Sequence, residues 1–177
     1  MKKFIYFISI SFIVFSSCKK SDINFCDTYV AGEIIIGTNE NIKLQEIFTF
    51  INARGYKIIS SFGTYYESSL PIDSLDYVKN ILSTKPYMNR DGWNGNAYLH
   101  YQSNKIMCVN QMMDMDINNQ NDWLNTVQLL QLTQKDNVTT FLVGVKEGKE
   151  KKIIKSLIEN PYIKWAELNC TGEIQPH

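Results

Sequence analysis

Few side chains in this sequence are of a kind and spacing that could do chemistry. His100 and His177 are the only histidines, one in a strand-like run and one at the terminus. A nucleophile triad or a histidine-built metal centre needs partners that this pattern does not supply. Asp114 and Asp116, within Met112-Met113-Asp114-Met115-Asp116, are the best-spaced carboxylates. Cation loops need more oxygen ligands and a glycine turn, so a solvated strand edge is favoured over a cation site for this pair. Glu33, Glu67 and Glu167 are scattered and set up no acid–base pair. No glycine-rich phosphate loop is present. The sequence therefore predicts no catalytic residues, no metal and no cofactor. The aromatics are the stronger signal. Trp93 lies between Gly92 and Gly95 in a Gly/Asn/Asp loop, with Tyr98 and Tyr101 just beyond. These three are the candidate ligand-binding residues, for a glycan or a protein partner; packing against the loop base is the alternative for Trp93.

The N-terminus carries an address. Lys2 and Lys3 precede the apolar run Phe4–Phe15, and Ser16-Ser17-Cys18 follows. A charged start with a short apolar stretch is a secretory signal. At this length it is too short for a membrane-spanning helix, which takes about 20 residues. Small residues before a cysteine resemble the lipobox of bacterial lipoproteins, with Phe15 where Leu, Val or Ile is usual. The resemblance implies cleavage before Cys18, lipidation of Cys18 and an outer-membrane lipoprotein on the periplasmic or cell-surface side. An ordinary secretory signal is the alternative. Residues 18–25 become the lipidated tether. The charged stretch Lys19-Lys20-Ser21-Asp22 is similar to surface-export signals of Bacteroidota lipoproteins, which usually carry more acid.

Without residues 1–17, 160 residues remain, with 16 basic against 18 acidic groups. That balance gives no electrostatic case for nucleic acid. Aromatic residues at 12% are enough to build a core.

Periodicity supplies the elements. Strands are expected at 29–37, 56–62 and 65–70, the last two turning at Gly63. Helices follow Asn39 or Asn41, with Leu44, Ile47, Phe48 and Ile51 on one face, and Asp73 or Ser74, with Leu75, Val78, Ile81 and Leu82. Gly55 and Pro86 stop them. Residues 97–101 and 105–113 form a hairpin. A third helix, capped within 118–122, carries Trp123, Val127 and Leu130. A strand at 139–145, a helix at 150–159 and a strand at 162–168 complete the chain. Asp73-Ser74-Leu75 also resembles an O-glycosylation signal of Bacteroidota secreted proteins; a helix cap is the alternative. Leu70–Met88 and Val145–Ile163 are alike at a spacing of 75, ending Lys-Pro-Tyr-Met and Asn-Pro-Tyr-Ile. Either a duplication or a shared helix stop accounts for this. Domain boundaries are set at 26–170, with sub-units 26–93 and 97–170 left open, and a tail at 171–177.

Phe141-Leu142-Val143-Gly144-Val145-Lys146-Glu147-Gly148, then Asn160-Pro161-Tyr162-Ile163-Lys164-Trp165-Ala166-Glu167-Leu168-Asn169, resembles the second half of subtilisin-type protease propeptides. Gly32–Ile36 resembles their first strand more loosely. Leu168 departs from the family's proline, and residues 71–138 are more than a propeptide carries. The resemblance implies an α+β, ferredoxin-like sandwich: an antiparallel sheet with helices on one face, open to a duplicated unit. In that fold the first and last strands are antiparallel neighbours, which implies a Cys26–Cys170 disulfide. Cys108, in an apolar run, is expected as a buried thiol. The resulting expectation is a lipid-anchored, non-enzymatic binding or accessory protein of the cell envelope, with an inhibitor or chaperone of a subtilisin-type protease as the alternative.

Overall fold

The computed structural model describes residues 25–88, 96–135 and 138–171. The order is β1 (Tyr29–Thr38), α1 (Leu44–Asn52), β2 (Lys57–Ser68), α2 (Leu75–Ser83), β3 (Asn96–His100), β4 (Lys105–Met115), α3 (Ile117–Leu129), β5 (Leu132–Gln134), β6 (Thr140–Gly144), α4 (Glu150–Leu157) and β7 (Ile163–Cys170). This is an α+β protein with one seven-stranded antiparallel sheet. Among the described residues, no helix is long and apolar enough to cross a membrane.

The strand order is β3-β4-β2-β6-β1-β7, with β5 also on β2. Within it, β7-β1-β6-β2 is the order of a ferredoxin-like βαββαβ unit built from β1-α1-β2 and β6-α4-β7. The chain between β2 and β6 repeats the plan. There β2-α2-β3 and β4-α3-β5 give the order β5-β2-β4-β3. One unit is thus nested inside the other, and β2 belongs to both. Strands from the stretches 26–93 and 97–170 interleave in this sheet, with β1 lying between β6 and β7. The similarity at a spacing of 75 falls on α2 and α4, the first helix of the inner unit and the second of the outer.

Long β2 replaces the two strands expected at 56–62 and 65–70. Gly63, with φ 76°, makes a bulge rather than a turn, and the register against β4 shifts between Ser61 and Thr64. A bulge bends a strand without ending it. After it, the far half of β2 pairs with β5 on the side where the near half pairs with β6.

Right-handed crossovers between parallel strands put the four helices of the described residues on one face. The packing agrees: Phe48 of α1 meets Phe141 edge-on at 6.3 Å, and Trp123 of α3 meets Tyr66 at 5.4 Å. Ile34, Ile36, Ile58, Phe141, Val143 and Leu168 point to the same layer and are buried. Full burial of such side chains contributes about 1.5–3 kcal/mol each. α1 starts after Lys43, where Glu46 accepts from the Lys43 N–H, and not at Asn39 or Asn41. Asn39 instead donates to Pro161 O at 2.7 Å. α3 begins before residue 118, because Asp116 caps it by accepting from Asn119 N at 2.8 Å.

Cys26 and Cys170 form a disulfide with Cα atoms 6.1 Å apart, closing the outer unit. Tyr29 pairs with Cys170 directly below the bridge.

Candidate functional site

Among the described residues every helix lies on one face, and the other face of the sheet is left uncovered. Alternation decides what lines it. Ile34 and Ile36 point to the helices, so Glu33, Ile35 and Gly37 point away. Their cross-strand partners share that face: Gly144, Leu142 and Thr140 on β6, and Glu167 and Trp165 on β7. Ile35, Leu142 and Trp165 are half-buried, as expected of apolar groups on an uncovered sheet. Trp165 lies across Gly37. A Cβ there would overlap the indole ring, so only glycine lets tryptophan lie flat on the strand. Ile59 packs toward Gly144 from β2. Carboxylates flank this strip. Glu33 accepts from Asn169 Nδ2 at 2.6 Å, and Glu167 is exposed.

The inner unit continues the face with Tyr65, Glu67, Met107 and Tyr98, which lie in adjoining cross-strand positions. Glu67 pairs with Lys135 at 3.1 Å. Tyr98 is 37% exposed. Tyr101 is 83% exposed, at the tip of the β3–β4 hairpin, stacked on His100 with centroids 5.8 Å apart. Tyr98 and Tyr101 thus project from different elements, a strand face and a turn. Trp93, Cys18 and His177 lie outside the described residues.

Several other polar groups serve the fold. Asp116 is a helix cap, and Asp114 holds a left-handed φ of 50° at the end of β4. A groove of about 470 Å³ runs between the α1–β2 turn and the start of α3. Its deepest polar group, Gln120, is already engaged: it donates to Met115 O at 2.8 Å and accepts from Asn52 Nδ2 at 2.7 Å. Asp122 receives Lys85 at 2.9 Å and the Tyr87 hydroxyl at 2.6 Å. Burial alone would raise its carboxyl, but these two donors hold it below the usual range. Burial, and then the facing carboxylate, push Tyr87 well above the usual phenol range. Burial pushes the Cys108 thiol up to about 12, so it is an inert thiol. Among the described residues, no three His, Cys, Asp or Glu side chains gather as a metal site would require.

Glu150 has a role that its sequence position does not announce. Its carboxylate in the first turn of α4 accepts from Gly32 N at 2.7 Å and Gly148 N at 3.0 Å. Burial would raise this carboxyl, but the backbone donors keep it low. The open-face strip was equally hidden. Ile34-Ile35-Ile36 is apolar throughout and shows no alternation, and the meeting of Gly37 with Trp165 depends on register.

Comparison with protein-family models, with curated proteins and with solved structures finds no match.

Proposed function

We propose that this chain is a lipid-anchored, non-enzymatic binding or accessory protein of the cell envelope. It is cut before Cys18, held on the outer membrane through lipid on that cysteine, and binds a protein partner on its open sheet face. The observation that carries the reading is the strip Ile35–Leu142–Trp165, half-buried, uncovered by any helix among the described residues and flanked by Glu33 and Glu167. Flat aromatic area beside charge is characteristic of interface cores and rims. The leader from Lys2 to Cys18 supports export. The Cys26–Cys170 disulfide fits an oxidising compartment.

The test has two parts. Radiolabelled palmitate should enter the wild-type chain and not Cys18→Ser, with loss of the protein from the membrane fraction. Crosslinking in the native envelope should capture a partner with the wild type and lose it with Leu142→Asp. Capture that is indifferent to Leu142→Asp removes the open face as the site. A second reading, an inhibitor or chaperone of a subtilisin-type protease, draws support from the outer unit's strand order and from β7 as a sheet edge. Absence of inhibition across a subtilisin panel would sink it.

A further inference from the structure

The open face accounts for none of the molecule's most basic segment. Lys146, Lys149, Lys151, Lys152 and Lys155 fall within ten residues at and before α4, and all are exposed. Among the described residues, none of the five is ion-paired. Nearby, Glu147 and Glu159 are exposed, while Glu150 is turned inward onto Gly32 N. Lys155, in the last turn, suits the helix dipole, but the lysines at the start of α4 do not. The first turn of a helix carries a positive partial charge, so Lys149, Lys151 and Lys152 sit where cations are disfavoured.

Their position in the molecule is specific. Lys151 Nζ lies 5.3 Å from the Phe25 ring centre and 5.9 Å from that of Tyr29. The basic face therefore stands at the root of the N-terminal tether. Residues 18–24 can span at most about 25 Å when fully extended. A surface holding Cys18 is within reach of α4.

We propose that the lysine face of α4 docks on an anionic phospholipid bilayer, as the second contact beside the lipid. This deepens the lipid-anchor reading and rests on it for its biological setting. The lipid holds the chain to the bilayer, and a basic patch beside it adds an electrostatic contact that fixes which face is presented. Attraction to an anionic leaflet is worth about five-fold in binding per lysine near the surface. Charge complementarity selects the occupant, and the tether's origin beside Lys151 selects the face. The docking also sets orientation. The exposed side of α4 is opposite the sheet, so seating it on the membrane turns Ile35, Leu142 and Trp165 outward, toward a partner. Glu46 and Asp76 on α1 and α2 are exposed and centre the contact on α4.

The test uses residues 18–177 with Cys18→Ser, so the lysine face is measured without lipid and apart from the acylation result. Co-sedimentation with phosphatidylglycerol–phosphatidylcholine vesicles at low salt should exceed that with phosphatidylcholine alone, and should fall as salt rises. The triple variant K151Q/K152Q/K155Q should bind phosphatidylglycerol vesicles roughly 100-fold more weakly. The charge-matched control K57Q/K79Q/K105Q should stay within about two-fold of the parent, since its lysines lie on β2, α2 and β4 and not on α4 or on the strands packed against it. Acetylation mapping on the parent needs no variant: vesicles should shield Lys151, Lys152 and Lys155 and leave Lys105 reactive. Equal binding to both vesicle types, or equal losses in the two triple variants, overturns the proposal. So does retention on immobilised polyglutamate without vesicle preference, which would assign the face to an acidic protein.

Discussion

The outer and inner units share a plan and one strand, yet they are secured differently. In the outer unit, β1 is central, flanked by β6 and β7, and the chain ends are tied by Cys26–Cys170. In the inner unit, β2 is central, β3 is an edge, and β5 is only three residues long. Its organising contact is aromatic: Trp123 meets Tyr66 at 5.4 Å and Tyr87 at 6.5 Å. The polar anchor Lys85–Asp122–Tyr87 stands beside that cluster. A repeated topology therefore does not fix how stability is achieved. A cross-link serves where the chain ends meet, and a dense aromatic cluster serves where a short strand offers little pairing.

The sharpest way to break this contrast is Trp123→Ala. It should cost about 3–5 kcal/mol in urea unfolding. Hydrogen exchange should quicken in β4 and α3 before β1 and β7. Simultaneous loss across the whole sheet would show that β2 couples the units into one cooperative block. Next is Cys26→Ser with Cys170→Ser, expected to cost about 2–5 kcal/mol. Exchange should then rise first at the β1–β7 pairing, the reverse order. Glu150→Gln should cost about 1–2 kcal/mol at neutral pH, as charge-assisted hydrogen bonds to backbone N–H groups weaken. Because the folded carboxyl is held below its ordinary value, that stability is present above the unfolded carboxyl range and fades as pH falls through the folded value. The gap between wild type and variant should therefore close below about pH 4 in denaturation series. Tyr66→Phe should have the smallest effect. Burial pushes this hydroxyl up to about 12, with Trp123 lowering it slightly, and neither Tyr66 Oη nor Trp123 Nε1 makes a well-formed hydrogen bond. Removing an unsatisfied hydroxyl should leave stability within about 0.5 kcal/mol of wild type, or raise it. A loss above 2 kcal/mol in thermal unfolding would mean that the hydroxyl has a partner.

The elements that periodicity placed well are the amphipathic ones. α1, with Leu44, Ile47, Phe48 and Ile51, and α4, with Ile154 and Leu157, bury the faces that their spacing marks. The α+β class and the Cys26–Cys170 pairing followed from the ferredoxin-like resemblance. What stayed hidden depended on long-range pairing. Gly63 supplies a positive φ in a turn or a bulge alike, and only the partner strand distinguishes them. β5 is too short for alternation to register. The nesting of one unit within another has no local signature, because β2 looks the same whether it serves one unit or two. The candidate site was less legible still. Tyr98 does face outward, but the strip around Trp165 exists only once β1, β6 and β7 are aligned.

The disulfide has a mechanical consequence. A pull on the residues before Cys26 reaches the sheet at a point where the entry of β1 and the exit of β7 are one covalent junction. Force is divided between two neighbouring strands at once. Neither can be unzipped singly from its end, so the sheet meets tension as a clamped ribbon rather than a loose thread.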